Sequence, residues 1–120
     1  MIAIKNATLV MRDHLIPDAV LLIEDGKIAD FGEMRKLSIP EGCEVIDAND
    51  MYVGPGLVDI HTHAGGGHWF YDEPEKAATF NLKHGTTTIL AALYFSMTTE
   101  EFVDAMGKIR EAMKDPDCKN

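Results

Sequence analysis

Val53-Gly54-Pro55-Gly56-Leu57-Val58-Asp59-Ile60-His61-Thr62-His63 is the stretch on which the reading of this 120-residue chain turns. Gly54-Pro55-Gly56 punctuates the chain, and Leu57 to His63 reads as a strand. Side chains alternate along a strand, so Asp59, His61 and His63 leave one face while Val58, Ile60 and Thr62 leave the other. Two imidazoles two residues apart sit ~6–7 Å apart along a strand. They can converge on one divalent ion through one nitrogen each. On its own, a His-x-His pair reads more simply as two solvated or core histidines. Position changes the reading: the pair closes a strand just before Ala64-Gly65-Gly66-Gly67. The C-terminal ends of parallel strands are where α/β barrels place their chemistry.

Downstream the pattern alternates strand and helix. Ala64 to Tyr71 reads as a loop, and Asp72 is placed to cap a helix with Pro74 in its first turn and Glu75 at the capping-box position. His84-Gly85 ends that helix, Gly being common just past a helix terminus. Thr86 to Leu93 is β-branched and apolar, and reads as a buried parallel strand. Thr98 with Glu101 starts a second helix, with the apolar stripe Phe102, Met106, Ile109 and Met113, and Asp115-Pro116 stops it. A βαβα unit of this kind belongs to parallel α/β folds.

Upstream, the chain is β-rich. Ile2, Ile4 and Ala7–Leu9 form one strand, and Ala19 to Phe31 folds back on itself at the hairpin signal Asp25-Gly26. Glu44 to Asp47 forms another strand after the Pro40-Glu41-Gly42 break. The expected division is residues 1–54 and residues 55–120.

Composition removes several classes of function. A net charge of -9 repels phosphates, so no nucleic-acid partner is expected. No window approaches the ~18 consecutive apolar residues of a membrane helix, so no membrane partner is expected either. Lys5 and Asn6 interrupt the apolar start, which is unlike a signal peptide. Cys43 and Cys118 have no metal or redox spacing, and a reducing cytoplasm is the simplest location.

The Val53–His63 stretch resembles the first barrel strand of the amidohydrolase superfamily. The β-rich segment, with Gly26-Lys27-Ile28 in its hairpin, resembles part of the small β-sandwich domain that precedes that barrel. Ala64-Gly65-Gly66-Gly67 with Phe70 and Asp72, and His84-Gly85-Thr86-Thr87-Thr88, are similar to N-acetylglucosamine-6-phosphate deacetylases. Beside that resemblance stands a plainer reading, in which the glycines only make a tight turn from strand to helix.

The resemblance implies an α/β fold: part of a small β-sandwich domain in residues 1–54, then the first two βα units of a (β/α)8 TIM-type barrel in residues 55–120. It implies a metal-dependent hydrolase in which zinc, iron, manganese or cobalt activates water to remove acetate from an amino-sugar phosphate, N-acetylglucosamine 6-phosphate. His61 and His63 are then metal ligands, and Asp59 orients a ligand imidazole or fills the barrel interior. Gly65, Gly66 and His68 come within reach of substrate, although a solvated loop role for His68 is simpler. Tyr94 and Phe95 could touch the sugar or pack the neighbouring loop. The enzyme is expected to be a homodimer.

In this family the remaining ligands and the proton-transfer Asp come from later strands, so no catalytic residue is expected among these 120. By itself the chain is expected to be partly unfolded, self-associating and inactive. Two alternatives stand. One is a cyclic-amide or ureide hydrolase of the dihydroorotase or imidazolonepropionase type, against which the Gly65-Gly66-Gly67 run speaks. The other is a non-catalytic metal-binding module, which would be a stable, monodisperse protein.

Overall fold

The computed structural model describes residues 1–115 and Cys118. Two compact units divide the chain, Met1–Pro55 and Gly56–Asn120. The first is a single five-stranded sheet built from β1 (Ile2–Val10), β2 (Leu15–Glu24), β3 (Lys27–Glu33), β4 (Glu44–Asp47) and β5 (Tyr52–Val53). The strand order is β3-β2-β1-β4, with β5 also pairing β1. The β1–β2 and β2–β3 pairs are antiparallel, whereas β4 and β5 run parallel to β1. Asp25 (φ 51°) and Gly26 (φ 72°) make the β2–β3 turn that their sequence announces.

Two bulges in the β1–β2 pair explain how its apolar residues are divided. Pairing passes from Ile4↔Leu21 to Ala7↔Ala19 with one extra residue on β1, then to Leu9↔Ile16 with one extra residue on β2. The left-handed residues Asn6 (φ 52°) and Asp18 (φ 46°) sit at these points, and Asn and Asp tolerate that conformation better than most side chains. An extra residue reverses the in–out alternation. Ala3, Val20 and Leu22 therefore cluster on one face of the sheet, while Ala7, Leu9 and Ala19 cluster on the other.

In the second unit β6 (Leu57–Thr62) pairs in parallel with β9 (Thr86–Ala91). Between them come a short hairpin, β7 (Ala64–Gly65) and β8 (His68–Trp69), and α1 (Pro74–Lys83); α2 (Thr99–Ala112) follows β9. α1 packs against β7, β8, β9 and α2.

Several sequence expectations need correction here. The segment 64–71 is not a plain loop but holds the β7–β8 hairpin. The cap of α1 is Glu73 rather than Asp72, and no side chain caps it. Pro74 disfavours helical backbone at the residue before it, so the boundary falls at Glu73 (φ −126°, ψ 63°). β9 is not a buried strand, since Leu90 is 62% exposed, and Ile60 on β6 is 74% exposed. Covering both faces of a parallel pair takes helices on both sides, and the described residues supply only α1 and α2. α2 buries Ala105 and Ala112, while Phe102, Met106 and Met113 of the expected stripe stay exposed. Pro116, expected to stop α2, lies outside the described residues.

The start of α2 is as its sequence reads. The Thr98 hydroxyl accepts from the Glu101 backbone N–H at 3.2 Å, and the Glu101 carboxylate accepts from the Thr98 backbone N–H at 2.8 Å. No helix among the described residues is long and apolar enough to cross a membrane.

Two predictions follow from this packing. The exposed apolar side chains of Leu57, Val58, Ile60, Leu90 and Phe95 should make the 120-residue chain self-associate. Size-exclusion chromatography should show species larger than a monomer; a lone monomer peak would contradict it. The second concerns the α2 cap. The Thr98 backbone N–H, and then its hydroxyl, hold the Glu101 carboxyl below the usual carboxylate range. A depressed folded value gives stability that is present above the unfolded pKa and lost as pH falls through the folded one. Helical circular dichroism should therefore decline as pH drops below ~4, and Thr98→Ala should start lower and lose less.

Candidate metal centre

The site grows from the end of β6. The parallel ladder places Thr62 opposite Ala91, and the Ala92 backbone N–H donates to the Thr62 carbonyl at 2.8 Å. The chain then leaves the strand, with the Thr62 hydroxyl bonded to the Ala64 carbonyl and the Phe70 N–H to the His63 carbonyl. His61 stays on β6, where its backbone N–H donates to Asp59 Oδ1 at 3.0 Å. His63 sits one residue past the strand, and the departure of the backbone lets the two rings meet edge to face, with centroids 5.0 Å apart. Their Nε2 atoms are 3.2 Å apart.

Two bare nitrogen lone pairs at this distance repel. Either one ring donates a proton to the other, or both direct their lone pairs at a common cation. Two imidazoles on a tetrahedral ion with bonds of ~2.0–2.1 Å have nitrogens ~3.3 Å apart, so the pair fits as two donors of one divalent ion. Among the described residues, no group of three or more His, Cys, Asp and Glu side chains is placed to hold a metal. A catalytic zinc takes about three protein ligands, one more than this pair of histidines offers. His63 Nδ1 is buried and has no hydrogen-bond partner.

The other sequence-flagged residues have well-defined local contacts. The Asp59 carboxylate meets the backbone of His61 rather than its ring. Gly66 (φ 61°) and Gly67 (φ 86°) form the turn of the β7–β8 hairpin, a two-residue turn that needs positive φ at both positions. Gly65 is buried beneath α1, and a methyl group there would lie 2.5 Å from the Ala77 carbonyl oxygen. Turn geometry and helix contact thus account sterically for the glycine run. His68 Nδ1 lies 2.5 Å from Glu73 Oε2. Lys76 first, and His68 second, lower the carboxyl pKa of Glu73.

Sequence reasoning left Trp69 and Tyr71 out of the site. They stack with centroids 5.7 Å apart, and both meet the Tyr94 ring edge-on. A cleft of about 570 Å³ opens beside these three rings. The available signal was the aromatic run Trp69-Phe70-Tyr71 itself; the chain turns at residues 70–72, so strand alternation does not place these rings.

No family model matches the chain. A D-hydantoinase from Geobacillus stearothermophilus is 44% identical over 90 residues, covering 72% of this chain and 18% of that protein. A dihydroorotase from Lactobacillus johnsonii is 35% identical over 112 residues, covering 92% of this chain and 25% of that protein. Among solved structures, N-acetylglucosamine-6-phosphate deacetylase from Pasteurella multocida superposes with a TM-score of 0.75 at 21% identity, covering 95% of this chain and 31% of that one. The chain matches the start of an amidohydrolase-type fold. The chain spans about a fifth to a quarter of the length of these curated amidohydrolase relatives. Both of these sequence relatives are enzymes named for cyclic substrates, the class that the Gly65-Gly66-Gly67 run was expected to speak against. The glycine run does not separate the two classes, because local packing accounts for it.

Gly65→Ala should destabilise the second unit by about 1–3 kcal/mol, the usual cost of overpacking, because rigid backbone at Ala77 blocks the new methyl. Gly67→Ala meets open space and should cost only the ~1–2 kcal/mol of a left-handed residue. Denaturant midpoints of the two variants check this, and equal effects would remove the packing role of Gly65.

Proposed function

We propose that this chain contributes the first two metal ligands, His61 and His63, to a metal-dependent amidohydrolase that cleaves a C–N amide bond. The observation that carries this reading is the 3.2 Å approach of two Nε2 atoms at the C-terminal end of a parallel strand. A bound divalent ion supplies an activated water and a polarised carbonyl. The chain's own contribution is to hold the two imidazoles with their Nε2 atoms together. Asp59 supports this by fixing the His61 backbone from one turn of the pleat away.

For the substrate we favour a cyclic amide or ureide, on the 44% identity with a D-hydantoinase and the 35% identity with a dihydroorotase. Gly66 and His68 lie on the segment that follows the pair, and on this reading they flank the substrate, whereas Gly65, expected beside them, is buried under α1. A second reading keeps hydrolysis of the linear acetamide of N-acetylglucosamine 6-phosphate, with a homodimeric cytoplasmic enzyme. Its support is the motif resemblance of Ala64–Gly67 and of His84 to Thr88.

The test uses protein made from the complete open reading frame that encodes this chain. Ring opening of hydantoin, dihydroorotate and allantoin is compared with acetate release from N-acetylglucosamine 6-phosphate. Ring opening without acetate release is the expected result, and the reverse establishes the deacetylase instead. His61→Ala and His63→Ala should each lower metal content and turnover together, by more than the ~10–100-fold that losing an outer-shell partner costs. Normal metal content and turnover in both variants would remove the histidines from the site.

A further inference from the structure

His63 presents an orientation problem. A metal-ligating imidazole is normally fixed by a hydrogen bond from its other ring nitrogen to a carboxylate, carbonyl or water. Here the other nitrogen, Nδ1, is buried without a partner, and the Asp59 carboxylate bonds backbone instead. Nδ1 therefore does nothing to set the rotation of this ring, and the 3.2 Å contact of Nε2 with His61 Nε2 is left as its one polar restraint.

An aromatic contact is in place to set it. The Tyr94 ring lies against His63 with centroids 5.3 Å apart and planes tilted by 47°. Tyr94 is held in turn by Trp69, at 5.3 Å and 66°, and by Tyr71, at 6.4 Å and 84°. Aromatic rings prefer such tilted and edge-on arrangements to face-to-face stacking. The backbone accounts for the placement. Ala92 N–H to Thr62 O carries the β6–β9 pairing to the very end of β6, so the residues just past each strand come side by side.

The geometry points to Tyr94 as a positioning residue for His63: its ring, braced by Trp69 and Tyr71, holds the imidazole so that Nε2 faces His61 Nε2. This rests on the proposal that the two histidines bind a metal. The ring orientation itself can be read without one.

The test has two arms on protein made from the complete open reading frame that encodes this chain. In the metal-free arm, nuclear Overhauser contacts from the His63 ring to Tyr94 and to His61 are recorded for the parent, Tyr94→Phe and Tyr94→Ala. The parent and Tyr94→Phe should show one fixed His63 ring, because the phenyl face does the holding. Tyr94→Ala should average the His63 ring and lose its contact with His61. An unchanged His63 ring in Tyr94→Ala overturns the proposal. Tyr94 is 41% exposed, so its truncation leaves the core alone, and unchanged far-ultraviolet circular dichroism confirms folding.

In the second arm cobalt(II) alone is titrated and followed by its visible absorbance. Tyr94→Ala should weaken binding by ~10-fold or more, Tyr94→Phe should match the parent, and His63→Ala should abolish binding. Parent-like binding in Tyr94→Ala, with binding lost in His63→Ala, overturns the positioning role and leaves the metal site standing. Parent-like binding in His63→Ala overturns the metal reading, and with it the role of Tyr94 in metal binding.

Discussion

The second unit depends on one interaction, the parallel pairing of β6 with β9. It runs from the Leu57 N–H bonded to the Gly85 carbonyl at one end to the Ala92 N–H bonded to the Thr62 carbonyl at the other. A parallel pair cannot be closed by a tight turn, and its crossover here carries α1 and the β7–β8 hairpin. Both strands therefore end at the same edge. The histidines that follow from β6 and the aromatic residues that follow β9 meet there.

The hairpin and helix of the crossover keep that edge in order. Gly65 lies flush under α1, and Gly66-Gly67 turns the chain so that Trp69 and Tyr71 reach Tyr94. The aromatic cluster is thus built from two connections rather than from one element. The ion pairs nearby, Glu73 with Lys76 and His68, and Lys108 with Asp72 and Asp104, are exposed. Such pairs add little to stability, so packing and the ladder carry the arrangement.

In the first unit a different device is at work. One bulge on β1 and one on β2 offset each other in register, so the strands remain paired from Ile2↔Ile23 to Val10↔Leu15. Each still reverses the facing of the residues beyond it. Small alanines at positions 3, 7 and 19 are completely or almost completely buried, and a single sheet thereby has an apolar cluster on both faces.

The sequence alone determined the local features, because each is decided by a few neighbouring residues. The Asp25-Gly26 turn, the strand at Glu44–Asp47, the end of α1 at His84-Gly85 and the Thr98–Glu101 capping box are all where the residues place them. The His-x-His spacing also marked the pair itself. What the tertiary structure decided depends on contacts between residues far apart in the chain. Alternation puts His61 and His63 on one face ~6–7 Å apart, but only the departure of the chain after Thr62 brings their Nε2 atoms to 3.2 Å. The glycine run reads as a loop approaching a ligand until α1 is seen lying against Gly65 and Gly66. Nor does any local pattern tie Tyr94 to His63, 31 residues earlier in the sequence. Their contact exists because a parallel ladder ends both strands together, a pairing that no short stretch of sequence can specify.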